Sequence, residues 1–214
     1  MDYGERIELA KTVVNDINLL LEFARSSDEQ IRLAVASNES CPINVLKVLA
    51  LDQSKTVRSA VVGNPNATIE ILEGLSRDES EEVRFYVAEC QRTPAEVLDR
   101  LSDDFDSSVR VRVGENPNTP IPALLNVVED LLGYPDVSTE TLKRLISVGD
   151  WSVRCSIAEN ENTPVHILEM LSVDENKLVR LSVADNIVST IDILQKLAID
   201  EDSSVREKAK SRIE

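Results

Sequence analysis

The stretch VRCSIAENENTPVHILEMLSVDENKLVR, residues 153 to 180, decides the fold, because it opens and closes on the same dipeptide. Working outward from it, Val-Arg or Ile-Arg occurs at Ile31-Arg32, Val57-Arg58, Val83-Arg84, Val109-Arg110, Val153-Arg154, Val179-Arg180 and Val205-Arg206. The steps are 26, 26, 26, 44, 26 and 26 residues. One step back from Arg32 lands on Arg6, so the array is expected to begin almost at the first residue. A fixed period of this length is the signature of stacked supersecondary units.

Each repeat reads as two short helices. An apolar residue stands four positions after the valine (Val35, Val61, Val87, Val113, Ile157, Val183), followed in most repeats by a small one. That spacing marks a helix face closely approached by a neighbour. An asparagine then ends the first helix in five of six full repeats, at Asn38, Asn64, Asn116, Asn160 and Asn186, with Cys90 the exception. Asparagine tolerates left-handed backbone, and its amide can satisfy loose backbone groups. Pro42, Pro94, Pro120 and Pro164 place the start of the second helix, with Thr93, Thr119 and Thr163 as expected caps. Paired aliphatics such as Leu46/Leu49 and Leu168/Leu171 give its buried side.

Helices of about ten residues are marginal alone in water, so each must bury its apolar face on its neighbours. The expected fold is all-α, an α-solenoid of about eight 26-residue two-helix repeats forming a single repeat domain over 1–214. We divide it into a first block, 1–128, an insertion with an extra helix, 129–146, a second block, 147–204, and a polar cap helix, 205–214. In that cap, Glu207, Lys208, Lys210 and Arg212 replace apolar positions.

The recurring order of valine-arginine, asparagine, threonine-proline, paired aliphatics and aspartate resembles the leucine-rich repeat variant family, bacterial repeats akin to HEAT repeats. That resemblance implies a right-handed superhelix in which one helix of each pair is short or of 3₁₀ type. It departs from the family in its 26-residue repeat, slightly longer than usual, and in having no cysteine before Cys41. The family's best-known member carries an N-terminal cysteine cluster for an iron-sulfur centre, so no cofactor is carried over.

An aspartate stands six positions before the arginine in five repeats (Asp52/Arg58, Asp78/Arg84, Asp104/Arg110, Asp174/Arg180, Asp200/Arg206) and four before it at Asp28/Arg32 and Asp150/Arg154. We read Arg32, Arg58, Arg84, Arg110, Arg154, Arg180 and Arg206 as a structural ladder, since a guanidinium fork can satisfy a carboxylate and turn carbonyls together. The asparagines are read as its capping counterpart.

Three cysteines at wide spacing and one histidine, His166, make no metal-ligand set. No phosphate-binding glycine loop and no nucleophile-base pair is visible, so the expectation is a chain with no catalytic residues, metal or cofactor. The net charge is -16, and residues 61 to 140 carry 17 acids against 6 bases. Such a surface repels nucleic acid and anionic membranes and favours a basic protein partner. With no signal peptide or apolar span in view, a cytoplasmic monomer is expected.

Function is expected where the repeat breaks. Phe105 and Trp151 are aromatics in otherwise polar or glycine columns, in the repeats flanking the 44-residue step. One reading has the extra helix fold over them. The other makes them a partner-binding spot with Tyr86, Arg112 and Tyr134 as neighbours. The function reading is a non-enzymatic scaffold for a basic protein. The alternatives are an acidic nucleic-acid mimic that blocks a DNA-binding protein, or a HEAT-like enzyme of nucleic-acid repair or cofactor maturation.

Overall fold

The computed structural model describes residues 2–14 and 16–214. Among these there are seventeen helices and no strand. The chain divides into two compact units, Met1–Pro120 and Ile121–Glu214.

The first unit holds α1 (Tyr3–Thr12), α2 (Ile17–Ala24), α3 (Glu29–Ala36), α4 (Ile43–Leu49), α5 (Lys55–Gly63), α6 (Ile69–Leu75), α7 (Glu81–Glu89), α8 (Ala95–Leu101) and α9 (Ser107–Glu115). Odd-numbered helices pack on odd-numbered ones, α1 on α3, α3 on α5, α5 on α7 and α7 on α9, while α2 packs on α4. A continuous core runs from Ala10 to Val113 and includes the repeat valines Val57, Val83 and Val109 with the leucine pairs of the second helices. Each repeat therefore buries its apolar side on the next, as short helices require.

The second unit holds α10 (Ile121–Asn126), α11 (Val128–Gly133), α12 (Thr139–Val148), α13 (Trp151–Glu159), α14 (Val165–Leu171), α15 (Lys177–Asp185), α16 (Ile191–Leu197) and α17 (Ser203–Ile213). Again α11 packs on α13, α13 on α15 and α15 on α17, and α12 packs on α14. Residues 129–146, expected as an insertion, are instead the body of a complete repeat. Val127-Val128, Tyr134 and Leu142/Leu145 stand 26 residues before Val153-Arg154, Asn160 and Leu168/Leu171. Asn160 Nδ2 donates to Leu132 O, the same 28-residue reach that Asn186 makes to Ala158 O. The 44-residue step is thus a degenerate repeat of 26 preceded by a shortened one of 18, in which α10 runs into α11 through Val127 without an aspartate-bearing turn.

The boundary residues also behave differently from expectation. Asn64, Asn116, Asn160 and Asn186 are extended, with φ between -60 and -73° and ψ between 124 and 130°, so none is left-handed. Each asparagine amide reaches back into the preceding repeat. Asn64 Nδ2 donates to Ala36 O at 2.7 Å and Asn38 O at 2.8 Å, while its Oδ1 accepts from Asn66 N at 3.0 Å. Asn38 reaches Ala10 O and Val13 O, and Asn116 reaches Ala88 O and Cys90 O. The last carbonyls of a helix lack intrahelical donors, and here the next repeat supplies them.

Thr93 and Thr163 are not the caps of the second helix, since the proline after each holds that position. Thr93, Thr119 and Thr163 donate through Oγ1 to carbonyls six residues back, Val87 O, Val113 O and Ile157 O. They close the end of the first helix, and Pro42, Pro94 and Pro164 themselves occupy the N-cap without a side-chain bond. Where a threonine replaces that proline, at Thr68 and Thr190, it does cap, accepting from Ile71 N and Ile193 N.

Candidate functional site

The ladder arginines come first because they fix the turns on which other side chains are displayed. Arg32, Arg58, Arg84, Arg154 and Arg180 each grip the aspartate twenty residues ahead, in the next repeat, rather than a carboxylate six residues behind. Arg58 donates from Nε and Nη2 to Asp78 at 2.7 Å each, and from Nη1 to Asp52 O at 2.7 Å. Arg32 with Asp52, Arg84 with Asp104, Arg154 with Asp174 and Arg180 with Asp200 repeat the fork. The residue six behind offers its carbonyl to Arg32, Arg58, Arg84 and Arg180, and Gly149, five behind, does so for Arg154. Asp28 and Asp150, expected as partners four residues behind, are N-caps that accept from Gln30 N and Ser152 N.

Both members of these forks are nearly buried, and a carboxylate out of water needs such a charge-assisted bidentate partner. The aspartate hydrogen bonds hold Arg32, Arg58, Arg84, Arg154 and Arg180 above the ordinary arginine pKa, against the opposing effect of burial. Asp200 is held below the ordinary aspartate value, chiefly by its bond from Arg180. Arg206 keeps its carbonyl contacts, donating to Asp200 O at 2.6 Å and Glu201 O at 2.9 Å.

The rungs differ at their outer edge, where Gln53 follows the Arg32 fork and glutamate the others named next. Glu79, Glu175 and Glu201 approach the Nη2 of Arg58, Arg154 and Arg180 at 3.7, 3.3 and 3.2 Å. In the same column beside Arg84 stands Phe105, whose side chain is 101% exposed. It is not covered by any helix. Its backbone is nevertheless fixed: Arg110 Nη1 donates to Asp104 O at 2.5 Å and to Phe105 O at 3.1 Å, and Asp106 N donates to Asp104 Oδ1 at 3.0 Å.

Of the other candidate residues, Tyr86 and Arg112 are brought together in the first unit by a residue the sequence reading passed over. Phe85 packs edge-on to Tyr86, with ring centroids 5.6 Å apart, and Arg112 lies over the Phe85 ring at 4.9 Å while approaching Glu89 at 3.9 Å. The signal was in the columns: α5 presents Thr56, Ser59, Ala60 and Gly63 where α7 presents Glu82, Phe85, Tyr86 and Glu89. Small residues beside large ones open a groove of about 500 Å³ floored by α5 and walled by Tyr86 and Glu89. In the second unit, Trp151 is 47% exposed at the first position of α13, and Tyr134 ends α11 in the asparagine column.

The break in the asparagine column at Cys90 is repaired by Arg92. Its Nη2 donates to Val62 O at 2.9 Å and Asn64 O at 2.8 Å, the carbonyls an asparagine at 90 would take. Its Nη1 donates to Pro65 O and Ala67 O, matching what Asn66 does one repeat earlier. Arg212, at the asparagine column of the last repeat, likewise donates to Ala184 O, Asp185 O and Asn186 O.

Cys41 is buried, and burial pushes its thiol pKa up to about 12; Cys155 is buried and shifted the same way by burial. His166 is exposed, with Nε2 3.4 Å from Thr139 Oγ1. Among the described residues no group of three or more His, Cys, Asp or Glu could hold a metal ion, and no helix is long and apolar enough to cross a membrane.

The chain is structurally similar to a solved leucine-rich repeat variant with a novel repetitive structural motif. The match has 26% identity, covers 92% of this chain and 72% of that one, and has a TM-score of 0.48. It also matches an engineered protein of known crystal structure, at 18% identity over 94% of this chain and 96% of that one, with a TM-score of 0.29. No family model matches the chain, and no curated protein does.

Proposed function

We propose that the chain is a non-enzymatic scaffold that binds a protein with a basic surface through its repeat array and acidic middle third. The observation that carries this reading is Phe105, a wholly exposed aromatic on a turn whose backbone is pinned from both sides. An exposed aromatic has no stabilising role of its own. Held rigidly, it loses little entropy on being buried by a partner. The flanking Asp103 and Asp106 and the excess of acids over residues 61 to 140 supply attraction for a basic surface. Tyr86 and Arg112, in the same unit, are secondary contacts in this reading.

The test is a pull-down at low and moderate salt with wild type, Phe105→Ala and Trp151→Ala as baits. A basic protein retained by wild type, released by salt and lost with Phe105→Ala supports the scaffold. Identical sets of retained proteins on all three baits would remove Phe105 from the interface. Release of the captured protein by duplex DNA would point to nucleic-acid mimicry.

A further inference from the structure

A second place in the first unit points to a different ligand. On the second-helix side, α4 and α6 leave a groove of about 370 Å³ whose lining includes Ala50, Leu51, Ile71, Gly74, Leu75 and Arg77. Its existence follows from Gly74. The same column holds Val48 one repeat before and Arg100 one repeat after, and a Cβ built on Gly74 would meet nothing within 4 Å. The floor is apolar, and Leu51 stands 86% exposed at the rim.

Arg77 lines this groove, and a second guanidinium, Arg100, stands behind it on Ser76. Arg77 Nη1 donates to Glu73 O at 3.4 Å, and Arg100 Nη2 donates to Ser76 Oγ, which itself donates to Glu73 O at 2.7 Å. Both arginines are thus held at the end of α6, one on Glu73 O and the other on Ser76 Oγ, and neither is in an ion pair among the described residues. The other charged residues of the lining are engaged with one another or with the ladder: Lys47 pairs with Glu70 at 2.7 Å, and Asp78 belongs to the Arg58 fork.

We propose that this groove binds an amphipathic carboxylate, with its apolar body on the floor over Gly74 and its carboxylate on Arg77, with Arg100 beside it. Guanidinium forks match carboxylates in shape and charge. A cleft of a few hundred cubic ångströms with an apolar lining and a few convergent polar groups is the usual form of a small-ligand site. Arg100 has a depressed pKa, first from burial and then from the adjacent Arg77, with Glu73 opposing. An arriving anion relieves that repulsion. This site is independent of Phe105 and of the basic partner proposed above.

The probe is octanoate, titrated by calorimetry and by the Nε–H resonances of the arginine side chains, with acetate and octanol as comparisons. Octanoate is expected to bind saturably and to move Arg77 and Arg100, and to bind about tenfold more tightly than acetate or octanol. A Cβ at position 74 meets nothing within 4 Å and leucine raises helix propensity over glycine, so Gly74→Leu is expected to fold with its side chain over the floor. It should weaken octanoate by about tenfold, and Arg77→Gln should do the same. Equal binding to wild type and Gly74→Leu, equal affinity for acetate and octanoate, or shifts spread evenly over all arginines would overturn the proposal.

Discussion

Arg92 gives the sharpest test of how the repeats are joined. If it replaces the asparagine missing at position 90, Arg92→Ala strips donors from Val62 O, Asn64 O, Pro65 O and Ala67 O together. Asn64 O keeps its bond from Ala67 N, but Val62 is buried and its carbonyl cannot rehydrate, and an unsatisfied buried acceptor costs about 1–3 kcal/mol. The outer two carbonyls regain water and add little. The expected loss is about 1–3 kcal/mol, which for a chain of this length lowers the melting temperature by roughly 2–10 °C. Adding Cys90→Asn should return most of it, because that amide then reaches Val62 O and Asn64 O as Asn116 reaches Ala88 O and Cys90 O. Urea unfolding followed by far-UV circular dichroism measures both steps. The reasoning is refuted if Cys90→Asn stabilises the wild type and the Arg92→Ala variant equally, since the two donors would then be unrelated.

The remaining predictions concern single repeats. Arg58→Met leaves Asp78 buried without its fork and should cost about 3–5 kcal/mol, whereas Arg58→Met with Asp78→Leu should cost less than either change alone implies, read by a double-mutant cycle in urea. Asp200 has a folded pKa below its ordinary value of 3.8, so its contribution is fully present above that value and is lost as pH falls through the folded pKa; Arg180→Met should flatten that acid slope. A Cβ on Gly149 would sit 2.7 Å from Leu145 O and from Val153 Cβ, so Gly149→Ala should destabilise by about 1–3 kcal/mol, while Gly63→Ala, in open space, should be neutral or stabilise by up to about 1 kcal/mol; thermal melts distinguish them. Phe105→Ala should leave stability within about 0.5 kcal/mol of wild type by the same measurement.

The two-helix repeat was legible in the sequence because core packing forces valines and leucines to recur at a fixed period. The partners of the ladder were not. In a 26-residue repeat, six residues behind and twenty ahead are the same column, so Asp52 and Asp78 are equivalent for Arg58 until the chain is folded. The same arithmetic hid the degenerate repeat: 44 residues divide as readily into 26 and 18 as into 18 and 26. Leu142 and Leu145 carried the correct division, but Val128 in place of arginine and Tyr134 in place of asparagine concealed it. The asparagines were identified as caps by type, yet their acceptors lie 26 to 28 residues away, where local backbone preference carries no information. Phe105 and Trp151 stood out as exceptions to their columns, and the exposure of Phe105 follows from an outward position that glutamate holds in neighbouring repeats.

The claim that function lies at the broken column is tested most directly by photo-crosslinking. Benzoylphenylalanine placed at Phe105, and separately at Leu51, an exposed position on the turn edge of another repeat, is irradiated in lysate at low and moderate salt. The account predicts a discrete adduct with a basic protein at position 105, weakened by salt and missing at position 51. No adduct at 105, or the same adducts at both positions, would contradict it.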